Sequence, residues 1–146
     1  MISDPKAYYR FQNMNSTNET GVEFNHHILL AKDKKKTADL LTKLLGLPDA
    51  APADGSVPGF FLCVEFKNSV TLLIAEAENH TIGHYAFKVA PAEFEKVVQR
   101  LTEWGLDYWA DPRMQRPGEC YIENGNKGLY FIDPSGHGME ILTSAM

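Results

Sequence analysis

From Phe24 onward, short apolar runs alternate with amphipathic stretches, and the order of these segments occurs twice. Phe24 to Ala31 suits a buried strand, and Asp33 then offers an N-cap to a helix that carries Ala38, Leu41, Leu44 and Leu45 on one face. Gly46 ends that helix and Pro48 prevents its resumption. A loop rich in Ala, Pro, Asp and Gly, from Pro48 to Gly59, is too polar for a core. Beyond it, Phe60 to Phe66 and Val70 to Ala75 read as two strands joined by a turn at Lys67, Asn68 and Ser69.

The second half repeats the order. His84 to Val89 reads as a strand, Pro91 sits at a helix start, and Phe94, Val97, Val98, Leu101 and Trp104 form one apolar stripe that stops at Gly105. Asp107 to Ala110 leads into a long loop with Pro112, Pro117 and Gly118, followed by candidate strands at Leu129 to Ile132 and Met139 to Leu142. The interval from first-strand histidine to helix-ending glycine is 20 residues in one half (His26 to Gly46) and 21 in the other (His84 to Gly105). Each half is therefore predicted as β-α-β-β-β or nearly so. The expected fold is α+β, with two curled mixed sheets forming a shared cleft. Residues 1 to 23 carry Tyr8, Tyr9 and Phe11 but neither period, and read as a tail. The remainder, 24 to 146, is expected to be one domain of two modules, about 24 to 80 and about 81 to 146.

Composition narrows the function classes. A chain of 146 residues with 44% hydrophobic and 23% charged side chains is one globular domain's worth and needs no disulfide to fold. A formal charge of -5 argues against nucleic-acid binding, which is driven by clustered Lys and Arg. The one basic run, Lys32 to Lys36, reads as a solvated helix start. No run approaches the roughly 18 to 20 apolar residues of a membrane span, and the opening Ile2-Ser3-Asp4 is unlike a secretory leader, so a cytoplasmic location is expected. Cys63 and Cys120 lack the spacing of a disulfide or zinc framework and are expected to be free thiols.

Three candidate metal ligands occupy matching places in the repeat: His26 or His27, His84 and Glu140. Two imidazoles and a carboxylate can hold a divalent transition metal while leaving positions free for substrate. Spacing alone is a weak signal, because most strand histidines are merely hydrogen-bonded.

The segments Phe24-Asn-His-His-Ile-Leu-Leu-Ala-Lys-Asp33, Gly83-His-Tyr-Ala-Phe-Lys-Val89 and Gly128-Leu-Tyr-Phe-Ile-Asp-Pro-Ser-Gly-His-Gly-Met-Glu140 resemble the vicinal-oxygen-chelate superfamily. That group includes glyoxalase I, fosfomycin-resistance enzymes, extradiol dioxygenases and bleomycin-resistance proteins. The resemblance covers residues 24 to 143 and implies a metal (Zn, Mn, Ni or Fe(II)) held by His84, Glu140 and a first-strand histidine. The family's spacing to Asp33 selects His26, whereas counting back from the helix start as for His84 selects His27; strand neighbours face opposite ways, so one of them enters the cleft. We take His26, with His27 packing under a helix as the alternative. Tyr130 stands ten residues before Glu140, where resembling enzymes carry a catalytic tyrosine, and packing across the sheet is its other reading. His137 is read as a turn histidine, since an odd strand separation turns it away from Glu140. Arg113, Arg116, Glu119 and Tyr121 belong to a loop that could close over an anionic substrate, or simply be solvated.

The implied activity is a metal-dependent one on a small, anionic, vicinal-oxygen substrate, through a metal-stabilised enolate or alkoxide. A homodimer is expected by analogy with the superfamily. Within it, the glyoxalase (lyase) reading is weakened because Leu72 stands about where a fourth, glutamate ligand belongs. The antibiotic-resistance reading has His84-Tyr-Ala-Phe, Tyr130 and the run Arg116-Pro-Gly-Glu119 in its favour, but no arginine follows Glu140. An Fe(II) ring-cleaving dioxygenase is the alternative enzyme, with His80 alone near its further histidine. A metal-free, bleomycin-type binding protein is the alternative outside catalysis.

Overall fold

In the computed structural model, residues 19–53 and 57–144 are described, so most of the tail expectation lies outside them. The first module runs β1 (His26–Ala31), α1 (Lys34–Leu45), β2 (Ala51–Pro52), β3 (Leu62–Glu65) and β4 (Thr71–Glu76). The second runs β5 (His84–Lys88), α2 (Pro91–Glu103), β6 (Tyr121–Glu123), β7 (Asn126–Ile132) and β8 (Gly138–Leu142). Their sheets share one order, β1-β4-β3-β2 and β5-β8-β7-β6, each with a parallel pair followed by antiparallel ones. The expected repeat and the α+β class are therefore what is found.

Local chemistry explains the helix ends. The Asp33 carboxylate accepts from the Lys36 N–H at the start of α1, and Gly46 closes the helix in the left-handed region at φ 65°. Pro91 opens α2, where its missing N–H costs nothing. The apolar stripe of α2 buries Phe94, Val97 and Leu101, but Trp104, expected to continue it, is 43% exposed. It caps the helix after the last full turn, so its ring has swung off the packed face.

Both sheets turn one face into a single core. Leu29, Val64, Leu72 and Ile74 of the first sheet and Leu129, Phe131, Met139 and Ile141 of the second share one buried cluster with Leu41 and Leu44 of α1 and Phe94, Val97 and Leu101 of α2. Burying each such side chain contributes about 1.5–3 kcal/mol. The Arg100 guanidinium adds a tie between helices by donating to the Leu44 carbonyl at 2.8 Å. Side chains alternate along a strand, so the other set of positions, beginning with His26 and His84, faces away from this core.

The Asp133-Pro-Ser-Gly-His137 turn joins the modules. Asp133, 4% exposed, accepts from the backbone N–H of Ser135 (3.1 Å) and His137 (2.7 Å) and from the Thr37 hydroxyl of α1 (2.8 Å). The Ser135 hydroxyl accepts from the Lys32 N–H. His137 is a turn histidine as expected, yet it is 1% exposed. Its Nδ1 accepts from Gly83 N–H at 2.9 Å, leaving Nε2 to donate to the Leu30 carbonyl at 2.6 Å. Among the described residues no helix is long and apolar enough to cross a membrane.

Candidate functional site

β5 and β8 pair in parallel with Ala86 opposite Glu140, so Glu140 projects on the face that carries His84. His84 Nε2 lies 3.0 Å from Glu140 Oε2. The two environments differ sharply, for the His84 side chain is 52% exposed and the carboxylate 5%. The second carboxylate oxygen, Oε1, accepts from the Tyr121 hydroxyl at 2.7 Å. Tyr130 stands directly opposite Glu140 on β7, with its ring 6.1 Å from His84 and 5.7 Å from Tyr121. Sequence reasoning thus named four groups, His84, Glu140, Tyr121 and Tyr130, that the fold gathers on one open sheet face.

The electrostatics keep the phenols neutral. Burial, then the hydrogen bond to Glu140 and its charge, push the Tyr121 hydroxyl well above its ordinary value. Burial and the Glu140 charge push Tyr130 to about 12. Both are proton donors throughout the neutral range. The thiols of Cys63 and Cys120 are free and are also raised by burial, so neither presents a thiolate.

His26 lies apart from this group. It begins β1 as His84 begins β5, on the open face with Ile28 and Leu30, and its Nδ1 lies 2.7 Å from the Asn25 side-chain oxygen. His27 shares the face of Leu29 and Ala31 and sits 3.4 Å from the Tyr85 hydroxyl. A recess of roughly 440 Å³ runs between the modules, lined by Phe24, His27 and Phe66 of one and His84, Tyr85 and Phe87 of the other. Register also corrects the position of the fourth-ligand counterpart. Ile28 pairs with Leu73 as Ala86 pairs with Glu140, so the equivalent residue is Leu73, whereas Leu72 points into the core.

Arg113, Arg116 and Glu119 occupy an exposed loop. The Asp111 carboxylate organises it by accepting the backbone N–H groups of Arg113, Gln115 and Arg116. Arg116 Nη1 is 3.8 Å from Glu119, a loose and solvated pair. The loop is not detached from the site, because Trp109 exchanges both backbone hydrogen bonds with Tyr130.

The donor set suits a divalent metal. Two ligand atoms each about 2.1 Å from one ion stand roughly 3.0–3.4 Å apart, and the 3.0 Å between His84 Nε2 and Glu140 Oε2 matches that spacing. Among the described residues, no three His, Cys, Asp or Glu side chains come together. Of the three expected ligands, the fold thus sets His84 and Glu140 side by side and leaves His26 apart from them.

No family model matches the sequence. Among solved structures the chain is similar to the oxidase ChaP-H1, with 40% identity and a TM-score of 0.78 over 85% of this chain and 97% of that one. It is likewise similar to the oxidase ChaP-H2, with 42% identity and a TM-score of 0.78 over 86% and 95%. Among curated proteins it is 27% identical over 121 residues to the glutathione transferase FosA of Serratia marcescens, which covers 80% of this chain and 77% of that protein. Together with the repeated βαβββ order and the His84 and Glu140 pair, these likenesses place the chain in the vicinal-oxygen-chelate superfamily.

Proposed function

We propose that the protein is a metal-dependent oxidase acting, with dioxygen as oxidant, on a small substrate that carries two neighbouring oxygens. The observation behind this reading is the half-exposed His84 beside the buried Glu140, in a chain 40% and 42% identical to two oxidases. The 27% identity to a glutathione transferase supports thiol transfer less well, since it is lower and covers less of the relative.

His84 and Glu140 would hold the ion, which when bound supplies a Lewis acid that two vicinal oxygens can chelate. The roles of the protein's own groups follow from their places. Tyr130 presents a neutral hydroxyl beside the carboxylate, so it can donate a hydrogen bond to an anionic oxygen of the substrate, while the Tyr121 proton is held by Glu140. Arg113 and Arg116, on the loop that Trp109 ties to Tyr130, would hold an anionic part of the substrate.

The third donor is His26 of the partner subunit in a homodimer. His26 opens the first sheet as His84 opens the second, and Ile28 and Leu30 beside it are 45% and 39% exposed. An apolar face of this kind is suited to cover by a second copy.

Tag-free protein should contain about one divalent metal per chain, and Glu140→Ala should remove most of it while the circular dichroism stays folded. Oxygen uptake with catechols should then depend on the metal. Full metal occupancy in Glu140→Ala would dismiss the constellation. Glutathione transfer to an epoxide without oxygen uptake would dismiss the oxidase assignment.

A further inference from the structure

Tyr121 lies on β6 and Glu140 on β8, with β7 between them. Strands stand about 4.8 Å apart, so a side chain joining the outer two must cross roughly 10 Å over the middle one. The crossing is possible at one place. Gly128 of β7 pairs with Tyr121 on one side and Leu142 on the other, and it has no side chain on this face. The Tyr121 ring occupies that vacancy: a Cβ added at Gly128 would fall among its Cζ, Cε1 and hydroxyl atoms. The hydroxyl emerges beyond β7 and donates to Glu140 Oε1, leaving Oε2 toward His84.

We propose that Tyr121 is a positioning residue for the metal, reaching through the gap at Gly128 to fix which oxygen of Glu140 faces His84. Tyr121 was expected from the sequence to bind substrate; here it acts on the carboxylate instead. The inference rests on the reading of His84 and Glu140 as metal ligands. With its charge buried and one oxygen engaged, Glu140 has a single oxygen left to offer beside His84. A partner that holds a ligating carboxylate in this way raises metal affinity by about 10–100-fold.

The test measures Zn2+ affinity by competition with a fluorescent chelator, together with urea midpoints. Tyr121→Phe keeps the ring and removes the hydroxyl, while Gly128→Ala keeps the hydroxyl and displaces the ring. Each should weaken Zn2+ binding by about 10-fold or more. The double variant should bind no worse than the weaker single one, because both break the same contact. A merely structural hydroxyl would lower the urea midpoint of Tyr121→Phe and leave Zn2+ affinity within twofold of wild type, which overturns the proposal. Additive losses in the double variant also overturn it. Glu140→Ala serves as the separate control. If it binds Zn2+ like wild type, the metal reading itself fails; if it loses Zn2+ while Tyr121→Phe does not, only the positioning role fails.

Discussion

The two sheets have one strand order and one register, yet their open faces differ. Both begin with a histidine, followed two residues later by an apolar residue, Ile28 in the first sheet and Ala86 in the second. Opposite that residue the first sheet sets Leu73 and the second sets Glu140. The first face continues with exposed Ile28 and Leu30, whereas the second gathers Tyr121 and Tyr130 around its carboxylate. A duplicated backbone therefore specifies where a ligand could stand, and a few side chains decide whether one does. Chemistry is concentrated in the second sheet, while the first offers a lone histidine and an apolar surface.

The largest effect should come from breaking the tie that holds the halves in this relation. Asp133 accepts three hydrogen bonds, one of them from Thr37 of the other module, and all are buried or nearly so. Replacing it with Ala leaves the buried N–H groups of Ser135 and His137 unpaired at about 1–3 kcal/mol each, while the Thr37 hydroxyl keeps the Ser135 hydroxyl at 3.3 Å, so a loss of about 2 kcal/mol or more is expected. Urea unfolding of Asp133→Ala should show a lower midpoint at unchanged slope. A midpoint within experimental error of wild type would mean that the modules hold together through the apolar core alone.

A smaller change sharpens the comparison. Leu73→Glu places a carboxylate where the register of the first sheet matches Glu140, beside His26 as Glu140 is beside His84. Leu73 is only partly buried, so the cost should be about 1 kcal/mol. With His26 already the third donor, the new carboxylate should add a fourth to the same ion, so Zn2+ should bind more tightly at unchanged stoichiometry. Unchanged affinity would show that Tyr121, Gly128 and Tyr130, which the first sheet lacks, are needed to hold a carboxylate in place for the ion.

The parts of the fold that were legible are those with strong local rules. Asp33, Gly46 and Pro91 mark helix ends through backbone chemistry that tertiary structure does not override. The twofold order of apolar segments predicted the two modules. β6 was missed because only three residues pair and Ile122 among them is 72% exposed, so burial leaves no periodic pattern. A usable signal was nonetheless present. Asn124-Gly125, with φ of 49° and 79°, is the dipeptide that a tight hairpin favours. β2, at Ala51–Pro52, has no such marker. The one-residue difference between Leu72 and Leu73 arises because facing depends on register, which composition does not specify. For the site, sequence placed the groups on their strands, but the passage of Tyr121 over Gly128 is a relation among three strands and was not visible.

The smallest expected effect concerns the loop that carries Arg113 and Arg116. Partial burial opposes ionisation of Asp111, but the N–H groups of Gln115, Arg116 and Arg113 and the Arg116 charge outweigh it, holding the carboxyl below its ordinary range. A group with a depressed folded-state value stabilises the structure at pH above its unfolded value and loses that contribution as pH falls through the folded one. Loop order should therefore be intact at neutral pH and should decline only below about pH 4. Asp111→Asn lacks the charge and should show the loosened loop at every pH, with its global urea midpoint close to wild type. Amide exchange at Arg113, Gln115 and Arg116 is the appropriate measurement, because these are the N–H groups that the carboxylate holds. Faster exchange at neutral pH in Asp111→Asn, matched by wild type only in acid, would show that the second module keeps its arginines near the site by one carboxylate. Equal exchange in both proteins at neutral pH would assign loop order to the Trp109 pairing with Tyr130 and Pro117 instead.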